Sequence, residues 1–140
     1  MSIIKHYAYC HPDTILSNRS PNTSHLMRNI LWSFPPKDTY KINCDASWIS
    51  AQTNASFGFI MQNFTRNLKA AGIGSFRASS AEEAEAVTLL HTVQWAITKK
   101  IGNLVIEGDI LATIMYVQGK CNSIQWQCIA FIDEVKNLIN

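Results

Sequence analysis

A chain of 140 residues suffices for one domain with a single core and is too short for two comfortable ones. A hydrophobic share of 47% against 16% charged residues excludes a disordered or acidic tail, and no apolar run approaches the ~20 residues that a membrane helix needs. The net charge of +2 resides in residues 1–40, while residues 41–140 balance eight basic against eight acidic side chains, so charge alone does not point to nucleic acid.

Met1 to Cys10 lacks the apolar core and small-residue cleavage site of a secretory signal, which places the chain inside the cell, cytoplasmic or nuclear. Residues 1–36 show no periodic apolar pattern. Ser, Asn, Thr, Pro and His dominate Asn18 to Met27, and Pro35-Pro36 forms a stiff extended stop. The segment reads as a tail or linker with a short helical piece around Leu26 to Trp32. The domain proper is then residues 40–140.

From Tyr40 to Trp48 the chain alternates, with Ile42, Cys44 and Ala46 on one face, the period of a half-buried strand. Gln52-Thr53-Asn54 makes a turn, Ser56 to Gln62 is a second strand, and Asn63 to Asn67 carries hairpin-loop residues. Leu68 to Arg77 is a third strand, twice interrupted by glycine. Consecutive strands with short turns predict an antiparallel meander.

Ser79 with Glu82, and Ser80 with Glu83, both fit the capping box that opens a helix. Ala86, Leu90, Val93 and Ile97 continue it at helical spacing, Lys99-Lys100 complement its dipole, and Gly102 stops it. Leu104 to Ile106 is a short apolar run suited to a strand buried on both faces. Asp109 follows it, Ile110 to Gln118 reads as a helix ending at Gly119, and Trp126 to Ile139 is a further helix on Ile129, Ile132, Val135 and Ile139. The order β-β-β-α-β-α-α predicts an α/β architecture with a mixed sheet.

Three acids occupy unusual positions for solvated charges. Asp45 interrupts a strand, a place that disfavours Asp, and alternation turns it away from Cys44 and Ala46. Asp109 stands past the C-terminal end of the buried strand, where α/β sheets place their sites. In the helix, Glu82 and Glu85 both border the apolar stripe, and the helical wheel does not choose between them. Converging carboxylates repel unless a cation joins them, and hard ions such as Mg²⁺ prefer such oxygens. The bland account assigns the same acids to a solvated strand face, a helix N-cap at Asp109, and helix capping. The four cysteines (Cys10, Cys44, Cys121, Cys128) lack zinc-ligand spacing and read as buried or idle thiols. Trp48, Trp95 and Trp126 read as packing aromatics rather than base-stacking platforms.

Lys41 to Trp48 (KINCDASW), Gly58-Phe59-Ile60, Ser80 to Ala86 (SAEEAEA) and Val105 to Asp109 (VIEGD) together resemble the plant ribonuclease H-like domains of retroelement reverse transcriptases. Trp32 and Pro35-Pro36 resemble the segment that introduces them. The resemblance implies a ribonuclease H-like fold with a five-stranded mixed sheet in the order 3-2-1-4-5. It implies Asp45, Glu85 and Asp109 as catalytic, metal-binding acids, choosing Glu85 over Glu82, with Mg²⁺ or Mn²⁺ as cofactor. It further implies a monomer that hydrolyses the RNA strand of an RNA–DNA hybrid. Family members continue into a fifth strand and a fourth catalytic Asp that have no match before Asn140, and Gly108 replaces a more usual Ser. Asp133 is a poor substitute for the fourth acid. The expectation is therefore an incomplete domain with weak or lost nuclease activity, or a degenerate module that binds or scaffolds without cleaving.

Overall fold

The computed structural model describes residues 35–108 and 124–139, together with the backbone of residues 2–8. Its strands are β1 (Ser2–Ala8), β2 (Tyr40–Ser47), β3 (Ala55–Gln62), β4 (Leu68–Phe76) and β5 (Asn103–Gly108). The helices are α1 (Ala81–Thr98) and α2 (Trp126–Ile139). The strands form one sheet in the order β1-β5-β2-β3-β4. β2, β3 and β4 make the antiparallel meander, and β5 runs parallel to both β2 and β1. This is a mixed sheet of the ribonuclease H-like type. No helix of the described residues is long and apolar enough to cross a membrane.

Alternation explains which face carries the core. Ile42 and Cys44 of β2, Phe59 and Met61 of β3, and Leu104 and Ile106 of β5 turn to the side on which α1 packs. Leu89, Leu90, Val93 and Ala96 of α1 meet them there, and Val135 of α2 joins the same cluster. α2 also packs along α1, with Cys128 and Ile132 against Ala86. α1 buries nine residues in all, far more than a narrow stripe. Among them are Thr88 and Thr92, whose hydroxyls donate to the carbonyls of Ala84 and Thr88 at 2.8 Å. Back-bonding of this kind satisfies a buried hydroxyl without a partner from outside the helix.

The two glycines that weaken β4 as a sequence pattern have a packing reason. A Cβ at Gly72 would overlap the ring of Phe59, and one at Gly74 the ring of Phe57. The rings of β3 lie across β4, and only glycine lets them. Phe59 then stacks at a tilt on Trp95 of α1, with centroids 4.6 Å apart.

α1 opens on the second of the two possible capping boxes. The N-cap is Ser80, whose Oγ accepts from the Glu83 N–H at 3.1 Å, and the Glu83 carboxylate reaches back to the Ser79 N–H at 2.8 Å. The helix does not end as its sequence suggests, because Gly102 is not the stop. Lys100 takes the left-handed conformation (φ 56), its N–H donates to Ile97, and the Ile101 N–H donates to Ala96. That pair of bonds is a Schellman closure with lysine at the usual glycine position. The helix ends at Thr98, sooner than expected, and Ile97 in its last turn is 36% exposed and lies outside the core. Trp126 is 77% exposed and is likewise no packing residue, whereas Trp48 donates from Nε1 to the Ala78 carbonyl at 3.1 Å.

The largest departure is β1. It falls within the segment read as a tail or linker, yet it pairs with β5 from Ser2 opposite Asn103 to Ala8 opposite Gly108. The slot outside β5, where the order 3-2-1-4-5 places a fifth strand, is filled from the N-terminal segment. Main-chain pairing is tolerant of side-chain pattern, which is why no periodicity announced it. The helical piece expected at Leu26 to Trp32, the helix expected at Ile110 to Gln118, Cys10, Cys121 and Asp109 lie outside the described residues.

Candidate metal centre on the sheet

Asp45 sits where strand alternation puts it, exposed on the face of β2 opposite the helices. Its Oδ1 accepts from the Ala46 N–H at 2.9 Å. Gly58 of β3 lies directly across from it, and Ile73 of β4 lies across from Gly58. The face is an open basin of ≈ 1150 Å³, lined by Asn43, Asp45, Gly58, Ile60, Ile73 and Glu107 among others. On its other flank, the last rung between β2 and β5 among the described residues joins Asn43 to Glu107, two residues short of Asp45.

Glu85 starts from the helix side of the sheet, half-buried near the start of α1. Two contacts fix how α1 lies along β2. Thr92 hydrogen-bonds the Cys44 thiol, and Trp48 bonds Ala78 just before the helix. The N-terminal end of α1 therefore runs toward the C-terminal end of β2. Glu85, between Ala78 and Thr92 in the chain, lies in the first turns of α1, its charge close enough to Cys128 of α2 to act on that thiol. Its neighbours are engaged in local structure. Glu82 accepts the Gln125 N–H at 3.2 Å and so anchors the approach to α2, while Glu83 closes the capping box. Asp109 lies outside the described residues, and among those residues no group of three potential ligands converges.

Glu107 was not singled out in the sequence. Its carboxylate meets the Lys41 ammonium at 2.6 Å, and Lys41 is only 1% exposed. This pair stands on the same face as Asp45, but Lys41 lies on the far side of Asn43 and draws the Glu107 carboxylate away from it. An apolar strand with one embedded acid is the signal that could have found it. Asp133 is exposed on α2 and faces Lys136 at 3.9 Å, consistent with a solvated surface role.

The donor chemistry here suits a hard cation. Both described acids offer oxygen, and the nearby thiols are withheld. Burial pushes the Cys44 thiol up to about 12, with Asp45 adding to the rise and the Thr92 hydrogen bond opposing it. Cys128 is pushed up to about 11 by burial and then by the charges of Glu82, Glu83 and Glu85. Both side chains are buried in core clusters on the helix side of the sheet, away from the Asp45 face, so neither serves there as a soft ligand.

A mixed sheet with a three-strand meander, a helix crossing to a parallel strand, and an acid past the central ladder define a ribonuclease H-like domain. The pattern of the family described as reverse transcriptase-like matches residues 43–140, and the chain belongs to that family. Its fold is similar to RNase H1 from the halophilic archaeon Halobacterium salinarum, at 13% identity and a TM-score of 0.66, covering 72% of this chain and 76% of that one. It is also similar to the N-terminal RNase H domain of rv2228c from Mycobacterium tuberculosis (12% identity, TM-score 0.63, 71% and 73% covered). LC11-RNase H1, solved in complex with an RNA/DNA hybrid, matches at 11% identity and a TM-score of 0.62, with 71% and 75% covered. No curated protein matches the sequence as a whole.

Proposed function

We propose that this chain is a nucleic-acid-binding domain of ribonuclease H type, whose site is built on Asp45, Glu85 and Asp109 and holds Mg²⁺ or Mn²⁺. The observation that carries the reading is the placement of Asp45: exposed within β2 on the open face, two residues beyond the last described rung to β5. Asp45 and Glu85 arise on opposite faces of the sheet, and the end of the ladder is where carboxylates from the two faces can approach one another. An LC11-RNase H1 structure holding an RNA/DNA hybrid supports a hybrid as the partner. The domain works as a monomer inside the cell, in cytoplasm or nucleus.

A divalent ion bound here supplies an activated water and stabilisation of the leaving oxygen in phosphodiester hydrolysis. The chain's own part is to hold that ion. Asp45, fixed by its Ala46 hydrogen bond, presents its carboxylate to the basin, and Glu85 is steadied by the packing of α1 on β2. Three carboxylates hold one hydrated ion more readily than the pair that fast hydrolysis uses, so binding is the stronger activity. The test is a hybrid-binding and cleavage assay in Mg²⁺ with the 140-residue chain and its Asp45→Asn variant. Metal-dependent hybrid binding with little cleavage is expected. Robust cleavage abolished by Asp45→Asn would correct the activity upward, and absence of any hybrid binding would overturn the reading. Binding unaffected by Asp45→Asn, with no cleavage, would identify a scaffold module instead.

A further inference from the structure

The meander strands β3 and β4 contain three glycines, and two of them are accounted for by Phe59 and Phe57, whose rings occupy the places of their missing Cβ atoms. The third, Gly58, has no such reason. A Cβ built there would meet only the Gly72 carbonyl oxygen at 3.8 Å and the Ile73 Cγ2 at 4.0 Å, both ordinary contacts. Its φ is not in the left-handed region, so the backbone does not ask for glycine either. A strand interior generally loses stability when it carries glycine, since there is no side chain to pack. Packing and conformation would both accept alanine here.

What distinguishes Gly58 is its neighbour. It is the cross-strand partner of Asp45, on the open face, and both line the basin. Opposed residues in an antiparallel pair hold their side chains about 5 Å apart, so any side chain at 58 would stand against the Asp45 carboxylate. The missing side chain leaves Asp45 open toward β3, and among the described residues no rung to β5 reaches it on the other flank.

We propose that Gly58 is a positioning residue for the metal site: its bare backbone keeps room beside Asp45 for a divalent cation that retains its waters. The inference rests on the metal reading of Asp45 given above. Mg²⁺ and its relatives shed water reluctantly and are held by one or two carboxylates through a bulky hydrated shell. A methyl or isopropyl group at 58 would intrude on that shell without touching the core.

The test titrates Mn²⁺ alone into the full chain and into Gly58→Ala, Gly58→Val and Asp45→Asn, reading bound ion by electron paramagnetic resonance and fold by circular dichroism and thermal melting. Gly58→Ala should melt at the same temperature or higher yet bind Mn²⁺ more weakly, with Gly58→Val weaker still by about tenfold relative to the native chain. Native affinity in both variants, with Asp45→Asn still abolishing binding, would overturn the role of Gly58 and leave the metal site standing. Mn²⁺ binding that Asp45→Asn does not weaken would remove the metal reading, and this inference falls with it. Should the valine chain fail to fold, the alanine chain decides, because its methyl meets only ordinary contacts.

Discussion

The ion pair of Lys41 and Glu107 shows how much a single position carries. The Lys41 ammonium is 1% exposed, and losing the Glu107 carboxylate removes a close charge that offsets its burial. Glu107→Gln should therefore cost about 3 kcal/mol in urea unfolding, and Lys41→Met less, because Glu107 is 15% exposed and regains water. The thiols give a second prediction at this scale. The pKa of Cys44 rises on folding from 9.0 to about 12, so the native state holds its proton more tightly than the unfolded one. Its contribution to stability is complete below pH 9 and is lost as pH climbs toward 12. Chemical unfolding followed between pH 8 and 11 should show this decline, and Cys44→Ala should flatten it. The place of Asp45 on the open face was legible because an acid inside an alternating strand is visible as a pattern. The pairing of Glu107 was not, because the buried lysine it meets lies on another strand.

At the scale of elements, the helix and meander were legible and their closures were not. Serine three residues before glutamate marks the start of α1 on local grounds, but two such pairs overlap, and only the folded bonds of Ser80 with Glu83 and of Glu83 with Ser79 show which is the cap. The end of α1 depends on Lys100 adopting a conformation that costs a side chain roughly 1 kcal/mol. Lys100→Gly should accordingly stabilise the domain by about 0.5 kcal/mol in urea unfolding, a gain that a glycine stop at 102 would not give. Gly72→Ala should destabilise by about 1–3 kcal/mol, because the Phe59 ring must leave its place over β4 and its contact with Trp95.

For the molecule as a whole, the sheet order follows from the sequence except at the β5 edge. A meander, a helical crossover and a buried apolar strand determine four neighbours, whereas the fifth is set by a main-chain ladder between residues about a hundred positions apart. Such pairing leaves no local trace. If β1 guards that edge, a Lys5→Pro, His6→Pro chain should lose hydrogen-exchange protection along Asn103–Gly108 on the side facing β1 while keeping the β2 ladder. Unchanged protection would mean that the edge is closed by something else.

The central claim is that Asp45 and Glu85, from opposite faces of one sheet, share a cation at the end of the β5 ladder. An isotope-labelled chain titrated with Mn²⁺, with paramagnetic broadening mapped residue by residue, tests it most directly. Broadening centred together on the amides around Asp45 and Glu85, and absent in Asp45→Asn, is the predicted result. Broadening confined to one of the two acids, or centred on the exposed Asp133 and Glu134 of α2, would contradict it.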